Sequence, residues 1–198
     1  WEFTPKTTPT DYNVNHKFVS STEDKQLPQA VKDLTPGQQT GKKDGDTVIP
    51  TAPTQTTVVD TENDGTWTFE GYDENSKTIN KSDVTFEGKW KFTPNEHKVT
   101  YEYVSGTEGK ELPEALKAKA PEKVTGKVKG EKVTSPVPTG DDATFRDEAN
   151  KGTWKFKSYD KDLVIISNQD EKVTGKWEFT ADSEPGKYNV THKFVSKD

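Results

Sequence analysis

Neither cysteine nor methionine occurs in the 198 residues of this chain. Without cysteine there can be no disulfide staple, no thiol nucleophile and no thiolate zinc site. The joint absence removes the two most oxidisable side chains, which suits an extracellular module and brings little to a small cytosolic one. Apolar residues are also scarce, at 27% against 31% charged, a balance that alone suggests disorder. No apolar run approaches membrane-spanning length and no signal peptide is visible. The net charge of −6, with signs interspersed, fits a soluble, self-repelling surface and disfavours nucleic acid as a partner.

Against disorder stand five Trp, nine Phe and six Tyr, and they recur. Asp64-Gly-Thr-Trp-Thr-Phe-Glu-Gly-Tyr-Asp73 returns as Lys151-Gly-Thr-Trp-Lys-Phe-Lys-Ser-Tyr-Asp160. The chain is therefore a tandem array with roughly four in ten aligned positions identical. Leu27 matches Leu112 and Trp67 matches Trp154, so two residues are inserted between Thr54 and Asp60, a stretch that reads as a loop. An array of this kind sets length and spacing, whereas chemistry sits at a unique site.

The first strand of the unit appears at Tyr12 to Ser20, His97 to Ser105 and Tyr188 to Ser196, with period-two alternation. Pro28 and Pro113 then fit the first turn of a helix of about two turns, stopped by Pro36 and Pro121. A turn around Gly45 or Gly130 leads to an edge or irregular segment ending in Pro53 or Pro138. Two alternating strands follow, Thr66 to Tyr72 and Val84 to Thr93, matched by Thr153 to Tyr159 and Val173 to Thr180. They point Trp67, Phe69, Trp90, Phe92, Trp154, Phe156, Trp177 and Phe179 inward as the structural core. The order predicts an α+β fold: two small modules, each a mostly antiparallel sheet of three to four strands with one short helix on its face, β-grasp-like by analogy. Residues 1–11 read as the end of a preceding repeat plus linker, 12–94 as repeat 1, 97–181 as repeat 2 and 182–198 as the start of a following repeat. Starting inside a repeat motif, the chain reads as an excerpt of something longer. Short proline-containing connections predict a head-to-tail, elongated rod.

The segments Tyr101-Glu-Tyr-Val-Ser-Gly-Thr-x-x-Lys-Glu-Leu-Pro113, Gly-Thr-Trp154-x-Phe-x-x-Tyr-Asp160 and Gly-Lys-Trp177-x-Phe-Thr180 resemble the SHIRT domain, the streptococcal high-identity repeat in tandem. The resemblance covers nearly all of the chain. It implies a Gram-positive, cell-wall-anchored surface protein whose repeats form a stalk that projects an N-terminal adhesin, with reach set by repeat number. Its partners would be neighbouring repeats in the same chain and a host ligand engaged by a separate N-terminal domain. The chain itself would be a monomer, and the family brings no catalytic residues.

Candidate chemistry does not survive comparison of the copies. Asp60-Thr-Glu-Asn-Asp-Gly65 opens like a calcium loop, but its twelfth position is Gly71 and the second copy has Ala149 and Lys151 for Glu62 and Asp64. A solvated acidic loop is the better reading. His16 and His192 align with Tyr101, and His97 aligns with Tyr12 and Tyr188, an exchange no metal ligand tolerates. Neither a nucleophile elbow nor a phosphate loop is present, so an enzyme is not expected and no cofactor or metal is indicated. Three functions remain: a spacer, an adhesive module whose four repeated Trp would form a sugar-stacking platform for a host glycan or protein, and self-association between cells or along the stalk.

Overall fold

Period-two segments rich in Val, Phe, Tyr and Trp fold as strands, and the chain holds fourteen of them among the described residues. The structure, a computed structural model, describes residues 10–183 and 192–194. The chain divides into two compact units between Glu96 and His97. The first contains β1 (Tyr12–Ser20), α1 (Gln29–Lys32), β2 (Gln39–Lys42), β3 (Thr47–Val48), β4 (Thr57–Asp60), β5 (Gly65–Tyr72), β6 (Lys77–Thr78) and β7 (Val84–Pro94). The second repeats the order with β8 (His97–Ser105), α2 (Glu114–Lys117), β9 (Val124–Lys127), β10 (Lys132–Thr134), a 3-10 turn at Gly140–Ala143, β11 (Thr144–Asp147), β12 (Gly152–Tyr159), β13 (Leu163–Ile165) and β14 (Glu171–Ala181). The upstream segment expected at Trp1 to Thr4 lies outside the described residues. So does the strand expected at Tyr188 to Ser196, except for 192–194, which carry no regular structure.

Each module has a five-stranded sheet, in the order β2-β1-β7-β5-β4 and its counterpart β9-β8-β14-β12-β11, with a two-stranded ribbon, β3-β6 or β10-β13, beside it. First and last strands pair in parallel, β1 with β7 and β8 with β14, while the other pairings are antiparallel. The β5–β7 register shifts between Phe69 and Gly71, and the β12–β14 register between Phe156 and Ser158. An extra residue in one strand of an antiparallel pair bends it and increases its twist. Bent in this way, each sheet curls into a half-barrel and closes on its own aromatic face.

The α+β, β-grasp-like expectation is thereby corrected: among the described residues strand accounts for 46% and helix for 7%. Each helix is one turn, not two, and buries one side chain, Val31 or Leu116. One apolar residue per turn cannot cover a sheet face, so the curled sheet covers itself. The sheet also has five strands rather than three or four. The fifth is the edge strand β4, in the stretch expected to be a loop, where Thr57-Val-Val-Asp60 pairs with Thr68 to Gly65.

Glycine makes close packing possible at repeated positions, Gly65 and Gly152 forming one such pair. A Cβ on Gly65 would stand 2.5 Å from Thr93 O and against the Phe92 ring; on Gly152 it would stand 2.6 Å from Thr180 O and against the Phe179 ring. A backbone oxygen cannot step aside, so we expect Gly152→Ala to destabilise its module by about 1–3 kcal/mol, the usual cost of overpacking. Urea unfolding followed residue by residue by amide NMR checks this. Resonances of 97–181 should lose stability while those of 12–94 keep their midpoint, and an unchanged second module refutes the packing argument.

Candidate functional site: the paired terminal strands

The parallel contact between first and last strands places β1 and β7 at the centre of the sheet, flanked by β2 and β5. Seven consecutive pairs run from Val14↔Val84 to Ser20↔Trp90, and seven more from Val99↔Glu171 to Ser105↔Trp177. Inward positions of the pair are sealed: Val14, Phe86 and Trp90 are fully buried, as are Val99 and Val173.

Both ends of the ladder carry additional bonds. At the entry end the Asn13 N–H donates to Asp83 Oδ1 at 2.8 Å, and the Lys98 N–H to Asp170 Oδ1 at 3.1 Å. At the far end the Ser21 N–H donates to Trp90 O at 2.8 Å, and the Gly106 N–H to Trp177 O at 2.7 Å. One step beyond, Thr22 Oγ1 accepts from the Phe92 N–H and Thr107 Oγ1 from the Phe179 N–H, each at 2.8 Å. Ser20 and Ser105 hydroxyls hold those threonines by accepting their backbone N–H at 3.1 Å.

A second repeated feature braces the sheet edge. Asp60, the last residue of β4, has 7% of its surface exposed, and Asp147, the last of β11, at 4%, is its counterpart. Asp60 Oδ2 accepts from Trp67 Nε1–H at 3.0 Å, and Asn63 donates both its backbone and side-chain N–H to the same carboxylate at 2.9 Å. Asp147 receives the same three bonds from Trp154 and Asn150. The solvated acidic loop is thus corrected: Asp60 is a buried acceptor for the indole N–H. Burial raises the Asp60 pKa, but the bonds from Asn63 and Trp67 outweigh it and hold the carboxyl below its ordinary 3.8. The Trp154 bond, followed by those from Asn150, does the same for Asp147. Asp64, in the left-handed region at φ 55°, accepts from Asn95 at 2.8 Å.

The repeated indoles sit inside, with Trp67 and Trp177 at 1% exposure and Trp90 and Trp154 at 0%. Phe92 is buried, whereas Phe69, Phe156 and Phe179 pack half-buried against the core. His16 Nε2 accepts the Thr51 N–H at 2.9 Å, a contact that requires a neutral ring. His97 faces Asp170 across 3.8 Å. Among the described residues no cluster of three or more His, Asp or Glu could hold a metal, and no helix is long and apolar enough to cross a membrane.

This is a tandem-repeat β protein with sealed aromatic cores and fastened terminal strands. The family model of the SHIRT domain matches residues 10–93 and 95–180, and the chain belongs to that family. It is similar to the solved Streptococcal High Identity Repeats in Tandem (SHIRT) domains 3-4 from a cell surface protein: 44% identity over 85% of this chain and 98% of that one, with a TM-score of 0.62. SHIRT domain 10 from a cell surface protein is 50% identical over 42% of this chain and 99% of its own, with a TM-score of 0.40. Comparison with curated proteins finds no match.

Burial lowers the His16 pKa from its ordinary 6.5, with the Gly37 backbone opposing in part. The unfolded chain therefore binds this proton more readily, and stability falls as pH drops from 6.5 towards the folded value. The contribution of Asp60 and Asp147 is present above 3.8 and is lost only as pH falls below it. Module 1 should accordingly soften in two steps, the first in mildly acidic buffer. His16→Tyr, which installs the residue module 2 has at Tyr101, should abolish the first step only. Urea midpoints of residues 12–94 across a pH series test this, and a first step that persists in the variant removes His16 as its source.

Proposed function

We propose that the two modules are spacer repeats in the stalk of a cell-wall-anchored bacterial surface protein, holding an N-terminal adhesin away from the cell with reach set by the number of repeats. The observation that carries this is the parallel pairing of first and last strands. Two parallel neighbours start at the same end, so the chain enters a module beside the start of β1 and leaves beyond the far end of β7. A module so built adds its own length to the chain instead of folding it back. Two residues, Asn95 and Glu96, join β7 to β8, and so short a join favours a stiff rod. The similar SHIRT domains come from a streptococcal cell surface protein, which fits an exposed, extracellular setting. Among the described residues no reactive constellation argues for catalysis. Small-angle scattering should give an elongated, stiff particle whose maximum dimension shrinks by about one module when one repeat is deleted. A compact or freely jointed pair overturns the proposal.

The competing adhesive platform needs exposed indole faces, and all four repeated Trp are at 1% exposure or less. In a Trp1→Phe variant, acrylamide should quench the remaining fluorescence weakly. Strong quenching would revive the binding reading.

A further inference from the structure

We propose that the parallel pair of terminal strands in each module is a shear clamp that keeps the module folded when the chain is pulled; this rests on the stalk reading above. Tension along the chain draws β1 towards Tyr12 and β7 towards Pro94. These are opposite directions along two parallel, adjacent strands. Their hydrogen bonds lie across the pull, so the seven pairs must be strained together instead of opening one by one. The same holds for the seven pairs of β8 and β14.

Two further features oppose sliding. A slip of one residue turns every side chain of β1 to the other face, which would drive Val14 and Phe18 out of the core and Lys17 into it. Phe18 also lies directly over Gly88, where a Cβ would stand 2.8 Å from its ring, and Tyr103 covers Gly175 in the same way. A ring seated on a glycine is held by the side chains on either side of that gap. The end bonds, Asn13 to Asp83 and Phe92 to Thr22, lengthen the group of contacts that must yield together.

The chain has no cysteine, so a pair of introduced thiols gives unique attachment points for single-molecule pulling on the full chain. Handles at exposed Thr10 and Glu96 load the clamp along its strands. Handles at Glu23 and Glu96 start from the end where Thr22 meets Phe92 and peel the pair open. Native stability is nearly the same in both, since only the attachment moves. We expect a several-fold higher unfolding force for Thr10/Glu96, and equal forces overturn the clamp. Thr22→Val should lower the force in the Thr10/Glu96 geometry more than in the other. An equal drop in both would show that this bond serves only overall stability and has no place in the clamp. Equal forces in an elongated particle would remove the clamp and leave the spacer standing, whereas a compact particle in scattering would remove the spacer itself.

Discussion

Pairing the first strand of a module with its last, in parallel, is the constraint on which everything between them depends. Asn13 and Asp83 are 70 residues apart in sequence, and Lys98 and Asp170 are 72. Closing a loop of that length costs roughly 4 kcal/mol in its length-dependent entropy alone. No single strand pair returns that much, so β2, β4, β5 and the ribbon must form with the clamp for either to persist. This makes each module a cooperative unit with no free-standing half. It also makes the chain rich in non-local contacts, a topology that folds slowly.

The core that supports this closure is built from few residues. With 27% hydrophobic content there is little aliphatic surface to bury, and rings supply it: an aromatic side chain buries about 150–250 Å². In module 1 the rings of Phe18, Phe69, Tyr72 and Trp90 pack at centroid distances of 5.2–6.3 Å, in tilted or edge-on contact. Burying an indole brings its N–H inside, and the Asp60 and Asp147 carboxylates answer that need at Trp67 and Trp154. Stranding that donor would cost about 1–3 kcal/mol, which explains an aspartate kept inside a small apolar core.

Much of this was legible in the sequence. Alternation around Trp67, Trp90, Trp154 and Trp177 marks the central strands, and Pro28 and Pro113 mark where the helical turns begin. What local patterns could not carry was partnership. Nothing in Tyr12 to Ser20 says that Val84 to Trp90 lies beside it in parallel, because register across 70 residues is set by the whole sheet. The edge strand β4 was obscured by its four-residue length and by the two-residue insertion next to it, although Thr57-Val-Val carries β-branched side chains. Weighed together, Asp60, Glu62, Asn63 and Asp64 look like acidic surface. Taken singly, Asp60 and Asn63 recur as Asp147 and Asn150, while Glu62 and Asp64 give way to Ala149 and Lys151. The recurring pair is the one that holds the indole.

That distinction extends to the terminal strands. Asn13 is replaced by Lys98 and Ser21 by Gly106, yet both bonds persist, because their donors are backbone N–H groups that any residue but proline supplies. Where the acceptor is a side chain, the copies agree: Asp83 with Asp170, and Thr22 with Thr107. Side chains that only decorate the pair have drifted, and those that close it have not. These copies agree at the fastening between first strand and last, the contact on which closure of each module depends.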